Sequence, residues 1–429
     1  MGRVRQVAEI AIPVVLTSAT TMVLGATDTA LLGHYGTAAL GIVALVLPMW
    51  IVATALVIPF GSATQVVVAR LHGAGDTAAI RALARAGVRA TAVIGALVAL
   101  GAGVAAPLLV RATAPAGLDR GQATLVLWIL LCGLPFTAVT AHLRGALGGI
   151  GDTRTGARNA VAVAVLNLVL AAVLIFPAGL GPVGSALGST TALAAGTAGL
   201  AHRARAMLRD TGRAPLRAWL DVALPDVGFG LVSYGGDAVI AVLAAGAGAV
   251  SLAAHRTVSV AVSLVWMFVF GIGVAMAVLV GHSIGADDPG ERRAVVRAGA
   301  IVMLATACTT ALLLALASPL VFGVLSGDPA VGAAARSVVW ALPVLAPIMA
   351  VSMIYAAQLR AAGDTRGVLY ASLFSVVVVA LPAVWALSAV AGLAGVYAGI
   401  VAGWIARTGA TAIRWRLRFR TLPVAEPAR

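Results

Sequence analysis

Gly151-Asp152-Thr153-Arg154 returns 212 residues later as Gly363-Asp364-Thr365-Arg366. At the same offset, residues 69–87 match 281–299 at 8 of 19 positions, among them Gly73/Gly285, Asp76/Asp288, Arg81/Arg293 and Arg85/Arg297. Trp128 and Pro135 fall on Trp340 and Pro347. One offset shared by separated landmarks means two homologous halves, each slightly over 200 residues long. Duplicated halves are a feature of many secondary transporters, in which one half moves against the other and exposes a central site to each side of a membrane in turn.

The composition fits that reading. The 429 residues are 61% hydrophobic and 10% charged, with a mean hydropathy of +1.04, far from the balance of soluble domains. A crossing helix needs about 20 apolar residues. Breaks at Gly, Pro and charge clusters give spans near 9–32, 37–70, 78–110, 121–149, 154–176 and 183–207, then 219–243, 249–282, 291–319, 333–361, 366–388 and 394–414. The expectation is an all-α polytopic membrane protein of twelve helices, six per half. Its first lobe is 1–207, its cytoplasmic linker 208–218 and its second lobe, with a basic tail, 219–429. The opening stretch, basic at Arg3 and Arg5 and apolar from Ile10, reads as the first span rather than a signal peptide, because its polar end Asp28-Thr29 has a counterpart at Asp237-Ala238. Kinks are expected at Pro48, Pro59, Pro135, Pro343 and Pro347.

Six spans per half make the repeats parallel and place both termini on one face. With that face cytoplasmic, 24 arginines lie inside and only Arg111, Arg120 and Arg336 outside, so the expected topology is N-in and C-in. Arg256 and Arg407 fall within or near membrane depth. All 29 basic residues are arginine, and with heavy Ala and Gly usage this suggests a high-GC bacterial genome and a bacterial plasma membrane. The same loops account for the net charge of +14, which in a soluble protein would point to nucleic acid. The arginine-rich linker from His202 to Arg217 reads as an orientation anchor or as a binding site for anionic headgroups or nucleic acid. Cys132 and Cys308 have no CxxC spacing, and no zinc, nucleophile-elbow, Walker or paired-carboxylate motif occurs, so neither an enzyme nor a cofactor is expected.

In the repeated turns Gly151 and Gly363 can end the incoming helix in the left-handed conformation. Asp152 and Asp364 can cap the next helix, and Arg154 and Arg366 lie at headgroup level. Gly73, Asp76, Gly285 and Asp288 form the companion turns. Two readings stand for all of them: helix-end structure, or a gate at the cytoplasmic mouth.

Polar residues at membrane depth mark function by default. Thr17, Thr21 and Asp28 share one helical stripe. Asp28 is the candidate coupling-ion site, as proton acceptor or sodium ligand; the alternative is a wetted carboxylate near a helix end. Asn167 either orients Asp28 or joins helices, and Gln65 is similar but nearer the cytoplasm. Asp237, with Ser233 one turn away and Tyr234 adjoining, lies at about the depth of His255 and Arg256, which suggests a buried Asp237–Arg256 ion pair. His255 reads as a pH-responsive group or as an ordinary polar contact. A looser substrate pathway runs through Met349, Ser352, Met353, Tyr355 and Gln358 in the tenth span and Trp266, Met267, Phe268 and Phe270 in the eighth. Aromatic and thioether groups suit an organic cation, and equally suit packing or lipid.

Three stretches resemble the multidrug and toxic compound extrusion (MATE) family: Ala26-Thr27-Asp28-Thr29, Gly73-Ala74-Gly75-Asp76, and Arg144 to Arg154 with its Gly-Asp-Thr-Arg ending. Asn159, Asn167 and Gly181-Pro-Val-Gly184-Ser-Ala extend the match. The branch named after the DNA-damage-inducible protein F is the most similar. The resemblance implies two six-helix lobes arranged as a V and an antiporter that exports organic, often cationic, compounds against protons, the preferred ion, or sodium. It places the family's first-span acidic residue on Asp28 and an asparagine of its polar site on Asn167. Many members of the branch carry a second acidic residue four positions later, where this chain has Ala171. Asp237 is a compensating candidate from the second lobe.

The implied partners are a small organic substrate and the lipid bilayer, with no nucleic acid and no obligatory protein partner. Two alternatives remain. One is a flippase for lipid-linked or other amphiphilic precursors, for which Arg256 is the cationic candidate. The other, from a different class, is a non-transporting receptor or scaffold, which would not need Asp28.

Overall fold

Four turns share one construction. Gly75, Gly151 and Gly363 have φ of 74°, 92° and 76°, and the fourth such position is taken by Asp287 at φ 51°. The next residue is always an aspartate, and its N–H reaches the carbonyl five residues back: Asp76 to Leu71, Asp152 to Leu147, Asp288 to Ser283 and Asp364 to Leu359, at 2.8–2.9 Å. This is the Schellman closure of a helix C-terminus. Three of these aspartates also start the following helix, accepting from the N–H of Ala79, Thr155 and Gly367 at 2.9–3.0 Å. One residue therefore ends one helix and caps the next.

The computed structural model describes residues 2–115, 117–209, 212–326 and 328–420. Residues 210 and 211 of the expected linker and the tail from 421 onward lie outside the described residues. The first half comprises α1 (Gly2–Tyr35), α2 (Thr37–Ala55), α3 (Pro59–Gly73), α4 (Thr77–Thr113), α5 (Arg120–Cys132), α6 (Leu134–Gly149), α7 (Thr153–Ile175) and α8 (Gly181–Arg203). The second comprises α9 (Leu216–Gly246), α10 (Ala249–Gly285), α11 (Pro289–Leu316), α12 (Ser318–Leu325), α13 (Pro329–Ser337), α14 (Ala341–Ala361), α15 (Thr365–Leu373), a π-helical turn Phe374–Ala380 and α16 (Leu381–Arg420).

Ten stretches of the described residues are long and apolar enough to cross a membrane. On α4, Leu97, Leu100, Val104 and Leu108 follow one helical face and are 62–76% exposed, a surface suited to lipid rather than water. The chain is thus an all-α, multi-pass membrane protein. α8 is long enough at 23 residues but too rich in Gly, Ser and Thr to join the ten. The stretch Thr365–Phe419 stands as one of them although it breaks at Gly392, with φ 55° and ψ −131°.

Prolines break the helices less often than expected. The stretch 37–70 divides at 56–58, before Pro59, and 121–149 divides at Gly133, before Pro135; both prolines sit in the first turn of the next helix. There the missing N–H has no intrahelical partner to lose. Pro48 lies inside a continuous α2, and Pro347 inside α14 with Pro343 in its first turn. The break in that region falls at 338–340 instead.

Close contacts divide the chain into two compact units. Unit 1 holds Met1–Ala11, Val232–Val280 and Pro289–Arg429; unit 2 holds Ile12–Leu231 and Gly281–Asp288. Within unit 2, α3 and α6 pack backbone to backbone, since a Cβ on Gly61 would strike Ala141 and one on Gly145 would strike the Gly61 carbonyl. Such close approach lets dispersion act where lipid removes the hydrophobic drive. Within unit 1, α16 turns at Gly392 and runs back along itself, with Gly395 against the Leu387 carbonyl and Gly399 against Val384.

Candidate functional site

In unit 2, α1, α7 and α8 bring three polar side chains together. Asn167, 1% exposed, directs its amide Nδ2 at both carboxylate oxygens of Asp28, at 3.3 and 3.4 Å. The Ser189 hydroxyl donates to Asn167 Oδ1 at 3.2 Å and also lies within hydrogen-bonding reach of Asp28. This contact fixes the amide: with its oxygen engaged by Ser189, its NH₂ faces Asp28. No arginine or histidine pairs with Asp28 among the described residues. One carboxylate thus sits among neutral oxygen and amide groups, an arrangement that can bind a proton or a hard monovalent cation and leaves the negative charge otherwise uncompensated.

Thr17 and Thr21 lie on the same helix, but their hydroxyls donate to the carbonyls of Pro13 and Thr17 at 2.9 and 3.0 Å and take no part in the Asp28 cluster. Gln65 packs its amide against Gly148 of α6. Ala171 is fully buried with Leu32, Ala39 and Ile175. The position one turn beyond Asn167 is therefore an apolar contact between helices.

A second polar group lies in unit 1. The expected Asp237–Arg256 pair is not formed: Arg256 is exposed, and the cation acting on Asp237 is Arg407 of α16. Arg407 is 9% exposed and lies over the Trp404 ring at 4.8 Å. Trp404 in turn meets Trp266 at 5.7 Å, which brings that pathway candidate to the same cluster. Arg360 adds a second positive charge near Arg407. The other pathway candidates gather elsewhere. Trp415 donates to Gln358 Oε1 at 2.9 Å and meets the Tyr355 ring at 5.6 Å, while Met349 is buried in the core. His255 is buried against Tyr397, with ring centroids 5.8 Å apart.

The repeated turns carry an asymmetry. Asp364 binds Arg414 through Nε at 2.6 Å and Nη2 at 3.2 Å. Asp152 instead accepts the Thr155 hydroxyl at 2.6 Å. Arg154 and Arg366 are exposed. Gly73 and Gly285 are not the left-handed residues of their turns, a role that belongs to Gly75 and Asp287; they are points of backbone contact between α3 and the end of α10.

The profile of the MatE family matches residues 13–173 and 230–385, most of the chain and both halves. The chain belongs to the MatE family. As a MatE protein it is a membrane transporter, not an enzyme. Solved structures share its fold. A crystal structure of MATE in complex with MaL6 superposes with a TM-score of 0.91 at 19% identity, over 97% of this chain and 96% of that one. The outward-facing conformation of a multidrug resistance MATE family transporter of the MOP superfamily gives 0.89 at 19% identity, over 97% and 96%. A MOP superfamily transporter from Pyrococcus furiosus Vc1, in which reverse polarity of the binding pocket suggests a different function, gives 0.89 at 19%, over 97% and 96%. No curated protein matches the chain in sequence.

Sequence reasoning missed Ser189 and Arg407 as site residues. Ser189 is one small residue in a helix full of them and carries no signal. Arg407 did carry one: a cation inside an apolar stretch needs a counter-charge, and periodicity alone does not say which helix supplies it.

Proposed function

We propose that this MatE protein is an antiporter that exports organic, cationic or amphiphilic compounds in exchange for protons or sodium, with Asp28 as the coupling group. The contrast between the two carboxylates supports the reading. Asp237 has Arg407 as counter-charge, whereas among the described residues Asp28 has only Asn167 and Ser189. A negative charge at membrane depth without a fixed cation is stabilised by a mobile one. Proton uptake needs only the carboxylate; sodium would add the oxygens of Ser189 and Asn167 as ligands.

The transport unit is twelve spans in two parallel sets of six, with both termini cytoplasmic in a bacterial plasma membrane. The split of the last stretch at Gly392 and the length of α8 support the count, and the arginine distribution supports the orientation. The Gly-Asp-Thr-Arg turns then lie on the cytoplasmic side.

Purified protein in proteoliposomes, given an organic cation under imposed proton or sodium gradients, tests the proposal. Gradient-driven transport lost in Asp28→Asn, with the variant still folded, is the expected result. Transport driven by neither gradient would reject antiport, and no transport in any assay by the folded protein would favour the receptor or scaffold reading.

One observation favours a second reading. Arg407 places a buried cation inside an apolar stretch, with Arg360 near it, which suits an amphiphile with an anionic headgroup and hence a flippase. Competition by such an amphiphile, but not by organic cations, would select it.

A further inference from the structure

Two grooves occupy equivalent places in the two halves. The first, about 540 Å³, runs between the opening turns of α1 (Arg3, Val4, Gln6) and the part of α11 beside them (Arg297, Ala298, Ile301), entirely within unit 1. The second, about 450 Å³, runs between the opening turns of α9 (Leu216, Trp219, Leu220) and the part of α4 beside them (Arg89, Val93, Ile94), entirely within unit 2. At the 212-residue offset Val4 falls on Leu216, and Arg89 falls on Ile301. The same junction, between the start of a half's first span and a third span, is thus open in both repeats.

Each groove has one chemical gradient. Along one face of α11 the order is Arg293, Arg297, Ile301; along α4 it is Arg85, Arg89, Val93. Steps of four keep one helix face, so each stripe passes from guanidinium to hydrocarbon within a turn or two. Arg297 and Arg89 are exposed, and neither has a carboxylate partner among the described residues. Arg3 is different: it is paired with Glu291 at 2.5 Å and donates to Gln6 at 2.9 Å. An unpaired cation at the mouth of an apolar cleft, beside the start of α1 or α9, complements an anion attached to a hydrocarbon chain.

We propose that the two grooves seat anionic phospholipids of the cytoplasmic leaflet, with the phosphate on Arg297 in one and on Arg89 in the other. The acyl chains run along Ile301 and Ala298, and along Val93 and Leu220. The proposal rests on the N-in orientation given above but not on antiport, and its test requires no transport.

Native mass spectrometry of the full chain, released from detergent after addition of phosphatidylglycerol, reads the number of lipids bound. Phosphatidylcholine of the same chain length and inorganic phosphate are the controls. Two phosphatidylglycerols are expected on the wild type. Arg297→Gln and Arg89→Gln each remove one, with affinity at the altered groove falling about fivefold per arginine, and the double variant removes both. Arg111→Gln, an equal loss of charge at the far end of α4, retains both. Equal binding of phosphatidylcholine would overturn the proposal by removing the role of charge. Equal binding of inorganic phosphate would overturn it by removing the role of the chains. Two lipids retained on the double variant would overturn the assignment to these grooves.

Discussion

Gly73 and Gly285, repeat-equivalent residues, each lie against the backbone of the other's helix. A Cβ on Gly73 would fall on the carbonyl of His282, and a Cβ on Gly285 on the carbonyl of Arg70. Arg70 and His282 are themselves 212 residues apart. The crossing of α3 with the end of α10 is therefore symmetric between the repeats, and both strands of it belong to unit 2. The His72 and His282 rings meet beside it at a tilt, with centroids 4.7 Å apart, and His282 Nε2 lies 2.7 Å from the Gly149 carbonyl.

The crossing has no room for a methyl group. Gly73→Ala or Gly285→Ala must push the helices apart, and each is expected to cost about 1–3 kcal/mol, as overpacking of a tight interface does. Thermal unfolding in detergent measures the loss. Gly33, whose Cβ would meet nothing within 4 Å, is the control, and Gly33→Ala should be close to neutral. Equal stability of all three variants would mean that the crossing is looser than it stands here.

The Asp28 cluster separates function from stability. Asp28→Asn keeps the shape and removes the titrating group, so the variant should fold and lose gradient-driven transport. Asn167→Ala removes the amide that faces both carboxylate oxygens and should weaken ion coupling by an amount worth about 1–2 kcal/mol, roughly five- to thirtyfold in apparent affinity. Thr17→Val and Thr21→Val, whose hydroxyls bond only to backbone, should leave coupling within about twofold, since the lost bonds are local to α1. Transport of the four variants measured against imposed gradient strength separates these outcomes. Ala171→Asp should not restore a second coupling carboxylate. Its side chain would enter a fully buried contact with Leu32 and Ile175, and lower stability is the expected result.

Asp237 should behave in the opposite way to Asp28. Removing its charge takes away a carboxylate that acts on the buried Arg407, so Asp237→Asn is expected to lower stability by no more than about 1 kcal/mol, because Asp237 is itself exposed. The double variant Asp237→Asn/Arg407→Met should recover much of that loss, because the buried guanidinium is removed together with the carboxylate that acts on it. A thermal-stability cycle over the two single variants and the double one gives the coupling. Additive effects would show that the two charges do not act on each other.

Much of this architecture was legible because the repeat is written in the sequence. The 212-residue offset located the turns and the paired helices, and apolar run lengths located the spans. Which glycine does what was not legible: Gly73 and Gly285 stand inside turn motifs, yet the left-handed residues are Gly75 and Asp287. Helix packing was hidden for a related reason, since apolar residues surround a membrane helix on every side and periodicity no longer marks the inner face. Arg407 illustrates the result, being 170 residues from Asp237. So does the buried network in which Thr64 meets His142 Nδ1 at 2.7 Å and Trp219 donates to Thr64 at 2.9 Å. Its three members come from α3, α6 and α9, and nothing local to any of them predicts the others.

Asp287 stands where the three sister turns carry glycine, at φ 51°. An L-residue with a Cβ pays a steric cost in that conformation; aspartate tolerates it better than most because its short polar side chain can bond locally. Asp287→Gly should therefore stabilise the α10–α11 turn by up to about 1 kcal/mol, less whatever the aspartate's own hydrogen bonding contributes. Gly75→Ala, the mirror experiment in the first half, should destabilise by about 1 kcal/mol. Space is not the reason, because a Cβ on Gly75 would meet no atom within 4 Å; only the backbone conformation opposes it. Thermal unfolding of the two variants side by side decides the matter. Should Asp287→Gly be strongly destabilising, the aspartate side chain, rather than the conformation it occupies, must be what the turn requires.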